Sequence, residues 1–300
     1  MNRFFWKETI DVILHSLKQI LDKAHGFLGT AAQICFACGK NAPLNREFAG
    51  ICDACARAIP WIVRPRCLAC GRAIGCPDCS RTGPNERAFV LNRSAVMYNG
   101  LMREWLAQYK YRGNERYAGL LAGMLARAYA LMERELSPEG RNRHLRVGQM
   151  SRWMVHAVTS VPVSDVRLRE RGFNQAEVMA TELARQIKVP YLRLLQRKRH
   201  TDKQSFKTRM DRMRDMEDAF VTRPHAIELL SRALAAASAE KRMNMVLDRS
   251  NDALLPLRVL LIDDIYTTGS TVHACAEALR KHEKALGQPI EVYCLTWARS

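Results

Sequence analysis

The 300-residue chain contains no apolar run approaching the ~20 residues that a membrane-spanning helix needs. Its N-terminus also lacks the continuous apolar core and the small-residue cleavage site of a signal peptide, because Asp11, His15 and Lys18 interrupt the aliphatic residues. Acidic residues are comparatively few, with 30 Asp and Glu against 47 Lys and Arg, and the net charge is +17. We therefore expect a cytoplasmic protein without a transmembrane segment, whose partners are phosphorylated ligands or nucleic acid.

No His–Asp or Ser–His arrangement stands out in the sequence, and no segment resembles a nucleobase pocket. The chain therefore offers no candidate residues for hydrolysis by an activated nucleophile. Its 48% hydrophobic content is enough for a proper core, and its length suits one large or two ordinary domains.

Aliphatic residues recur at helical spacing near the N-terminus, from Ile10 to Leu21, with charged residues among them. This spacing predicts an amphipathic helix over residues 2–24, within an N-terminal segment of residues 1–30. Docking on the domain that follows is the favoured role for this helix, and binding to a membrane surface or a partner is the alternative.

Eight of the ten cysteines lie within residues 31–84, in four Cys-x-x-Cys pairs. The pairs are Cys35/Cys38, Cys52/Cys55, Cys67/Cys70 and Cys76/Cys79. Each pair presents two thiolates from one tight turn, which is half of a tetrahedral zinc site, so four pairs can hold two zinc ions. A disulfide framework fits poorly because there is no signal peptide. We predict a double zinc-ribbon-like module that stabilises the fold rather than taking part in catalysis.

Two schemes describe which pairs share a zinc ion, and the spacing is compatible with both. A sequential scheme joins the first pair to the second and the third to the fourth, whereas a crossed scheme joins first to third and second to fourth. The two remaining cysteines, Cys275 and Cys294, are expected to be core thiols.

Residues 90–300 alternate predicted strands with predicted helices, which favours an α/β domain with a mainly parallel sheet covered by helices on both faces. Ligands bind beyond the C-terminal strand ends of such sheets. The predicted strands are 94–98, 155–163, 257–263 and 290–297. The predicted helices are 102–108, 115–135, 174–188 and 270–286, with a helical insert at about 224–256.

A short aliphatic strand ends in two adjacent carboxylates, Asp263 and Asp264, and a hydroxyl-rich helix start follows. That helix start contains Thr267, Thr268, Gly269, Ser270 and Thr271. Carboxylates suit ribose hydroxyls and a divalent cation, while hydroxyls and backbone N–H groups at a helix start suit a phosphate. The pattern predicts a site for a ribose 5-phosphate, and the plainer alternative is an ordinary strand-to-helix turn capped by Ser or Thr.

Three arginines, Arg167, Arg169 and Arg171, crowd a predicted loop after the buried strand that ends in Val161-Pro162-Val163. Guanidinium groups present a planar fork of donors that matches phosphate oxygens. We predict that this loop binds phosphate or pyrophosphate, and a solvated basic loop is the alternative.

The segment 259–271 resembles the phosphoribosyl-pyrophosphate (PRPP) loop of type I phosphoribosyltransferases. The Arg-Gly-Phe-Asn-Gln segment at 171–175, the Tyr-Lys-Tyr-Arg-Gly segment at 109–113 and the cysteine pairs are, together with that loop, similar to the ComF family of amidophosphoribosyltransferase-like competence proteins. These motifs cover most of residues 35–300 in the family's order. Tyr266, the N-terminal helix and the length of the insert depart from the family pattern.

The resemblance implies a type I phosphoribosyltransferase-like fold that binds PRPP with magnesium. Asp263 and Asp264 would face the ribose hydroxyls and support any catalysis, residues 267–271 would hold the 5-phosphate, and the basic stretch at 193–214 would close over the ligand.

Two functions follow from the resemblance. The first is a PRPP-binding protein, and a candidate phosphoribosyltransferase (a glycosyltransferase), acting in DNA uptake or nucleotide-related metabolism with other competence proteins. The second is a non-catalytic protein that handles single-stranded DNA, in which Trp105, Tyr109 or Tyr111 could stack on bases, although a core role is favoured for these aromatic residues.

Overall fold

A computed structural model of the chain describes residues 33–76, 79, 87–111, 116–137, 153–198, 219–244 and 256–300. Three predicted segments lie wholly or partly outside the described residues: the N-terminal helix, the basic stretch from 199 to 214, and residues 245–255 of the insert. The chain divides into two compact units, Met1–Ala58 and Ile59–Ser300.

The described part of the first unit is a small cysteine-bearing fold. Strand β1 (Gln33–Ile34) pairs in antiparallel fashion with β2 (Asn41–Ala42), and helix α1 (Asp53–Arg57) follows. The side chain of Asn45 orders the loop between β2 and α1, because its oxygen accepts the backbone N–H groups of Glu47 at 3.0 Å and Phe48 at 2.8 Å.

The second unit has a four-stranded sheet in the order β3 (Leu91–Met97), β8 (Ile290–Arg299), β7 (Leu257–Tyr266) and β4 (Ala157–Ser160). Every neighbouring pair of these strands is parallel. The predicted α/β fold with a parallel sheet is confirmed. The elements of this unit, in chain order, are β3 (Leu91–Met97), α2 (Gly100–Tyr111), α3 (Arg116–Leu136), β4 (Ala157–Ser160), α4 (Asp165–Arg171), α5 (Gln175–Ile187), β5 (Leu195–Arg197), β6 (Phe220–Thr222), α6 (Ala226–Asn244), β7 (Leu257–Tyr266), α7 (Ser270–Arg280), α8 (Glu283–Leu286) and β8 (Ile290–Arg299).

Helices cover both faces of this sheet. Helices α3 and α5 contact each other and the strands, while α7 packs on the sheet together with the antiparallel β5–β6 pair. Val259 and Leu261 of β7 share one hydrophobic cluster with α7, whereas the equally buried Leu260 lies outside that cluster. Successive strand side chains point to opposite faces, so both faces of β7 are buried, as a parallel sheet requires. Cys275 and Cys294 are buried core thiols, as expected.

The chain around the predicted ligand site differs from the sequence-based boundaries in two places. Strand β7 continues through the acidic pair to Tyr266, because its ladder with β8 extends as far as the Tyr266–Arg299 pair. The arginine-rich segment is not a loop but the short helix α4. Ser164 begins this helix by accepting the Arg167 N–H at 3.4 Å, and Gly172 ends it in the left-handed conformation, with φ 76°.

Candidate functional site

The two chemical segments lie at adjacent strand ends. Strands β4 and β7 are neighbours, and their register places Ser160 beside Ile262. The backbone N–H of Val161 donates to the carbonyl of Ile262 at 2.9 Å, one residue before Asp263. The fold therefore brings the acidic pair, the hydroxyl-rich turn and helix α4 to one end of the sheet, where ligands bind in this class of fold.

The acidic pair is ordered by its own backbone. The N–H of Asp264 donates to Oδ1 of Asp263 at 2.8 Å, and both residues are half-buried. Burial, reinforced by the neighbouring charge of Asp264, raises the pKa of Asp263 to about 8, although that hydrogen bond, Lys110 and Arg167 oppose the shift. The Asp263 carboxyl is therefore a group that a ligand or cation must stabilise before it ionises fully at neutral pH.

Lys110 supplies a cation to this pair. Its ammonium group, near the end of α2, forms an ion pair with Oδ2 of Asp264, and the two side chains are only 13% and 21% exposed. The Tyr-Lys-Tyr-Arg-Gly segment at 109–113 is part of the resemblance predicted from the sequence, but no role at the acidic pair was predicted for Lys110. No local pattern links Lys110 to Asp264, because the two residues lie on different elements.

The hydroxyl-rich turn places a helix N-terminus beside the acidic pair. Gly269 begins α7 in the left-handed conformation, with φ 89°, and has no side chain to accept the first-turn N–H groups. The hydroxyls of Thr268 and Ser270 lie 3.1 Å apart, and the Ser270 N–H reaches the Thr268 hydroxyl at 3.4 Å. The turn therefore groups hydroxyl donors with first-turn backbone donors, which is a suitable arrangement for a phosphate.

The three arginines of α4 fall into two groups. Arg167 and Arg169 are exposed, and the charge of Arg167 acts on both Asp263 and Arg197. Arg171 instead donates to the Gln175 side-chain oxygen at 2.8 Å and to the Tyr111 hydroxyl at 3.2 Å. Arg171 is therefore partly committed to local structure, while the other two are available to a ligand.

The rest of the Arg-Gly-Phe-Asn-Gln segment also has structural roles. Asn174 caps α5 by accepting the Ala176 N–H at 3.1 Å, and its amide donates to the carbonyl of Val161 at 3.1 Å. Phe173 meets the ring of Tyr109 edge to face, at a centroid distance of 5.3 Å. This motif therefore fixes the end of β4 against α5 and positions α4 beside the acidic pair.

The three aromatic residues proposed for base stacking differ in exposure. Trp105 and Tyr109 are each 1% exposed and belong to the core. Tyr111 is 70% exposed, with the guanidinium carbon of Arg171 5.1 Å from its ring centroid.

The eight paired cysteines form two clusters in the sequential arrangement. Within each cluster the four sulfur atoms lie within 4.8 Å of one another; one contains Cys35, Cys38, Cys52 and Cys55, and the other contains Cys67, Cys70, Cys76 and Cys79. A tetrahedral ion with bonds of about 2.3 Å to sulfur separates its ligands by roughly 3.8 Å. The Sγ–Sγ distances are 3.8 Å for both Cys35–Cys55 and Cys38–Cys52, and 3.5 Å for Cys70–Cys76. Each cluster can therefore hold a zinc ion with four closed ligands.

Within the first cluster, the surroundings of Cys35 favour its thiolate form. Although burial acts in the opposite direction, the backbone N–H groups of Cys52 and Cys38 lower the pKa of Cys35 to about 6. The first cluster lies in the unit Met1–Ala58 and the second in the unit Ile59–Ser300.

The fold and these clusters define an α/β protein with a parallel sheet and two four-cysteine sites that can hold metal. The chain is 27% identical over 242 residues to the competence protein ComFC of Bacillus subtilis, covering 78% of this chain and 80% of that protein. It is 24% identical to competence protein F of Haemophilus influenzae, covering 82% and 90%, and 25% identical to the DNA utilization protein YhgH of Salmonella typhi, covering 89% and 97%. These homologues confirm the predicted resemblance to the ComF family.

No protein-family model matches the chain. Among the described residues, no helix combines the length and the apolar character that crossing a bilayer demands.

Proposed function

We propose that this protein binds PRPP, carried with magnesium, at the end of β7 and acts in DNA uptake, in the cytoplasm and together with other competence proteins. The choice of ligand rests on one observation: the Asp263–Asp264 pair lies beside both the N-terminus of helix α7, which Gly269 begins, and the exposed arginines of α4. A single ligand with ribose hydroxyls, a 5-phosphate and a pyrophosphate would engage all three features. The relatives' names, which refer to competence and DNA utilization, support the cellular role.

The ribose would lie on the acidic pair. Carboxylate oxygens accept hydrogen bonds from the 2- and 3-hydroxyls, and Lys110 already balances one of the two charges. With that resident cation at Asp264, we assign magnesium to the pyrophosphate oxygens rather than to the carboxylates. Magnesium usually binds through substrate phosphates with only one or two protein ligands, which fits this assignment.

The 5-phosphate would lie at the start of α7. The backbone N–H groups of the first helical turn and the hydroxyls of Thr267, Thr268, Ser270 and Thr271 supply donors, and the helix dipole favours a negative charge at this position. Arg167 and Arg169 would contact the pyrophosphate from α4. Arg171, which donates to Gln175 and Tyr111, would hold the end of α4 in place.

If turnover occurs, the bond between ribose C1 and the pyrophosphate oxygen breaks, and a bond from C1 to an acceptor nucleophile forms. Positive charge develops on the ribose ring during this displacement, and the Asp263–Asp264 pair would stabilise it electrostatically. A screen of PRPP turnover across nucleobases and related acceptors tests this step. Pyrophosphate release with one acceptor would establish an enzyme, whereas binding without release would establish a binding protein.

A second candidate function is the binding of single-stranded DNA without catalysis. The observation in its favour is the exposed ring of Tyr111, which lies over Arg171 and next to the helix carrying Arg167 and Arg169. A stacking aromatic residue beside phosphate-binding cations is the arrangement that single-stranded DNA requires.

The test of this candidate is a titration of fluorescent oligonucleotide at several salt concentrations. Tyr111→Ala should weaken binding about tenfold, in line with the loss of one stacked base. Arg167→Ala with Arg169→Ala should reduce the slope of log K against log salt by about 1.4, since each lost phosphate contact removes about 0.7. A wild-type affinity that does not change with salt would eliminate this candidate.

A further inference from the structure

The second cysteine cluster is built into the core of the unit that contains the candidate site. Cys70 is fully buried and belongs to the same hydrophobic cluster as Tyr266 and the inward face of α7. The amide of Asn92 donates to the carbonyl of Cys70 at 3.0 Å. A Cβ atom at Gly71, whose φ is 73°, would lie 2.6 Å from the carbonyl oxygen of Asn92. The cysteine turn therefore packs so closely against β3 that only glycine fits at this position.

One buried side chain connects this cluster to the residues around the proposed phosphate site. Arg299, at the end of β8, is 6% exposed, and its Nη2 lies 3.7 Å from the sulfur of Cys70. Its Nη1 donates to the carbonyl of Tyr266 at 3.1 Å. The guanidinium carbon also lies 4.7 Å from the centroid of the Tyr266 ring. A single guanidinium therefore contacts both a cluster ligand and the last residue of β7.

Tyr266 in turn lies directly beneath the hydroxyl-rich turn. A Cβ atom built at Gly269 would lie only 2.1 Å from the Tyr266 hydroxyl, so the turn and the ring are in tight contact. Phe89 also contacts the Tyr266 ring edge to face, with centroids 6.4 Å apart. Any movement of the Tyr266 ring toward the surface must displace Gly269 and the start of α7.

Buried cations need acceptors, and Arg299 has few. The Nε atom of Arg299 has no hydrogen-bond partner among the described residues, and Nη1 also donates to the carbonyl of the neighbouring Ser300. The contacts with Cys70 and the Tyr266 carbonyl are therefore the ones that hold this guanidinium against the rest of the fold. Donors in the outer shell of a metal site orient the ligands, and the metal in turn fixes the position of the donor. The position of Arg299, and with it that of the Tyr266 ring, should therefore depend on whether the cluster is assembled around its metal.

We propose that Arg299 is a positioning residue that couples the metal-bound form of the cluster Cys67, Cys70, Cys76 and Cys79 to the shape of the turn at 267–271. In its metal-bound form the cluster holds Arg299 and Tyr266, and the turn is then ordered for a sugar phosphate. The ligand in this statement rests on the proposed function, but the order of the turn can be measured without any ligand.

The first experiment compares Arg299→Met with Arg93→Met by hydrogen exchange of the backbone amides at 267–271. Arg93 is a matched control, because it is equally buried at 6% and donates to the Leu68 carbonyl of the same cysteine turn at 2.9 Å. Its other bonds go to Asn92 and Glu135 rather than to the turn at 267–271. We expect about tenfold faster exchange at 267–271 in Arg299→Met, with α3 unchanged, and wild-type exchange in Arg93→Met.

The second experiment removes one ligand from each cluster in turn. Cys76→Ser should reproduce the faster exchange at 267–271, whereas Cys55→Ser, in the other unit, should leave that exchange unchanged. Metal content measured by mass spectrometry should fall by one ion per chain in each variant. If Cys76→Ser loses its ion and the turn exchanges as in the wild type, the coupling does not exist.

Calorimetric titration with PRPP and magnesium provides the functional comparison. Arg299→Met should bind about tenfold more weakly than wild type, and Arg93→Met within about twofold of it. Faster exchange spread equally over α3 and the turn would show general destabilisation and would overturn the proposal. Faster exchange confined to the turn in a protein that binds no PRPP would support the coupling and would refute only the proposed ligand.

Discussion

The ammonium of Lys110 forms an ion pair with the carboxylate of Asp264 at a half-buried position, next to the strand end where Asp263 and the hydroxyl-rich turn meet. Ion pairs at exposed positions contribute little, but here the lysine side chain is only 13% exposed. The pair gives the acidic site a resident cation, which reduces its repulsion toward an anionic sugar phosphate.

Replacing this lysine should therefore weaken the binding of anionic ligands. We expect Lys110→Met to reduce affinity for PRPP about tenfold, equivalent to about 1.4 kcal/mol, with a larger loss when magnesium is chelated. The reason is that the substitution leaves the Asp264 charge uncompensated beside the ligand's phosphates. Isothermal titration with and without magnesium measures both effects.

The matched control for Lys110 is Lys284→Met, which removes the same charge from an exposed position on α8. It should bind PRPP as the wild type does. Equal affinities of Lys110→Met and wild type in both buffers would mean that Lys110 does not act on the ligand site.

The raised pKa of Asp263 makes a prediction about stability. An acid whose pKa rises from 3.8 in the unfolded chain to about 8 in the folded protein destabilises the fold progressively as the pH rises between those values. Asp263→Asn removes this penalty and retains an oxygen that can accept the Asp264 N–H. The variant should therefore be more stable than wild type, and its advantage should grow by roughly 1 kcal/mol between pH 6 and pH 8, after allowance for partial exposure of the site.

Urea unfolding of the two proteins at pH 6 and pH 8, with zinc present throughout, measures this difference. The range stays above the acidic conditions that would protonate the cysteine ligands. If the difference in the free energy of unfolding between Asp263→Asn and wild type stays constant or shrinks from pH 6 to pH 8, the result would contradict a raised pKa at Asp263.

Gly269 should tolerate no side chain. Its φ of 89° is unfavourable for alanine, and the added Cβ would meet the buried hydroxyl of Tyr266. We expect Gly269→Ala to cost about 2 kcal/mol in the free energy of unfolding and to weaken PRPP binding at least about tenfold, because the start of α7 must move.

The control for this substitution is Gly123→Ala in the interior of α3, where a Cβ meets nothing within 4 Å. This change should instead stabilise the protein by about 0.5–1 kcal/mol, through helix propensity alone. A Gly269→Ala protein with wild-type stability and affinity would show that the turn adapts freely, contrary to the tight packing against Tyr266.

The parts of the site that could be predicted from the sequence are those carried by short local patterns. Asp263 and Asp264 follow a run of aliphatic residues, and four Cys-x-x-Cys pairs present thiolates, so local spacing alone indicates their chemistry. The parallel sheet follows similarly from alternating strands and helices. Each of these predictions rests on a pattern of residues close together in the chain.

The features that were not predicted depend on contacts between distant parts of the chain. Lys110 lies on α2 and Asp264 on β7, and no local pattern indicates that they meet. The sequential cluster arrangement and the contact of Arg299 with Cys70 likewise follow from how the chain folds back on itself. Residue type likewise does not reveal that Gln175 and Tyr111 accept two of the N–H groups of Arg171, whose predicted role in phosphate binding stays a prediction.

The proposed function requires that the acidic pair at the end of β7 bind the ribose of PRPP. Isothermal titration of PRPP with magnesium into wild type, into the double variant Asp263→Asn with Asp264→Asn, and into the control Glu228→Gln tests it most directly. Glu228 forms an exposed ion pair on α6, so its loss should leave binding unchanged. We predict measurable binding by wild type and control, and at least an about 100-fold loss in the double variant with its circular dichroism and zinc content intact. Unchanged affinity in the folded double variant would contradict the assignment.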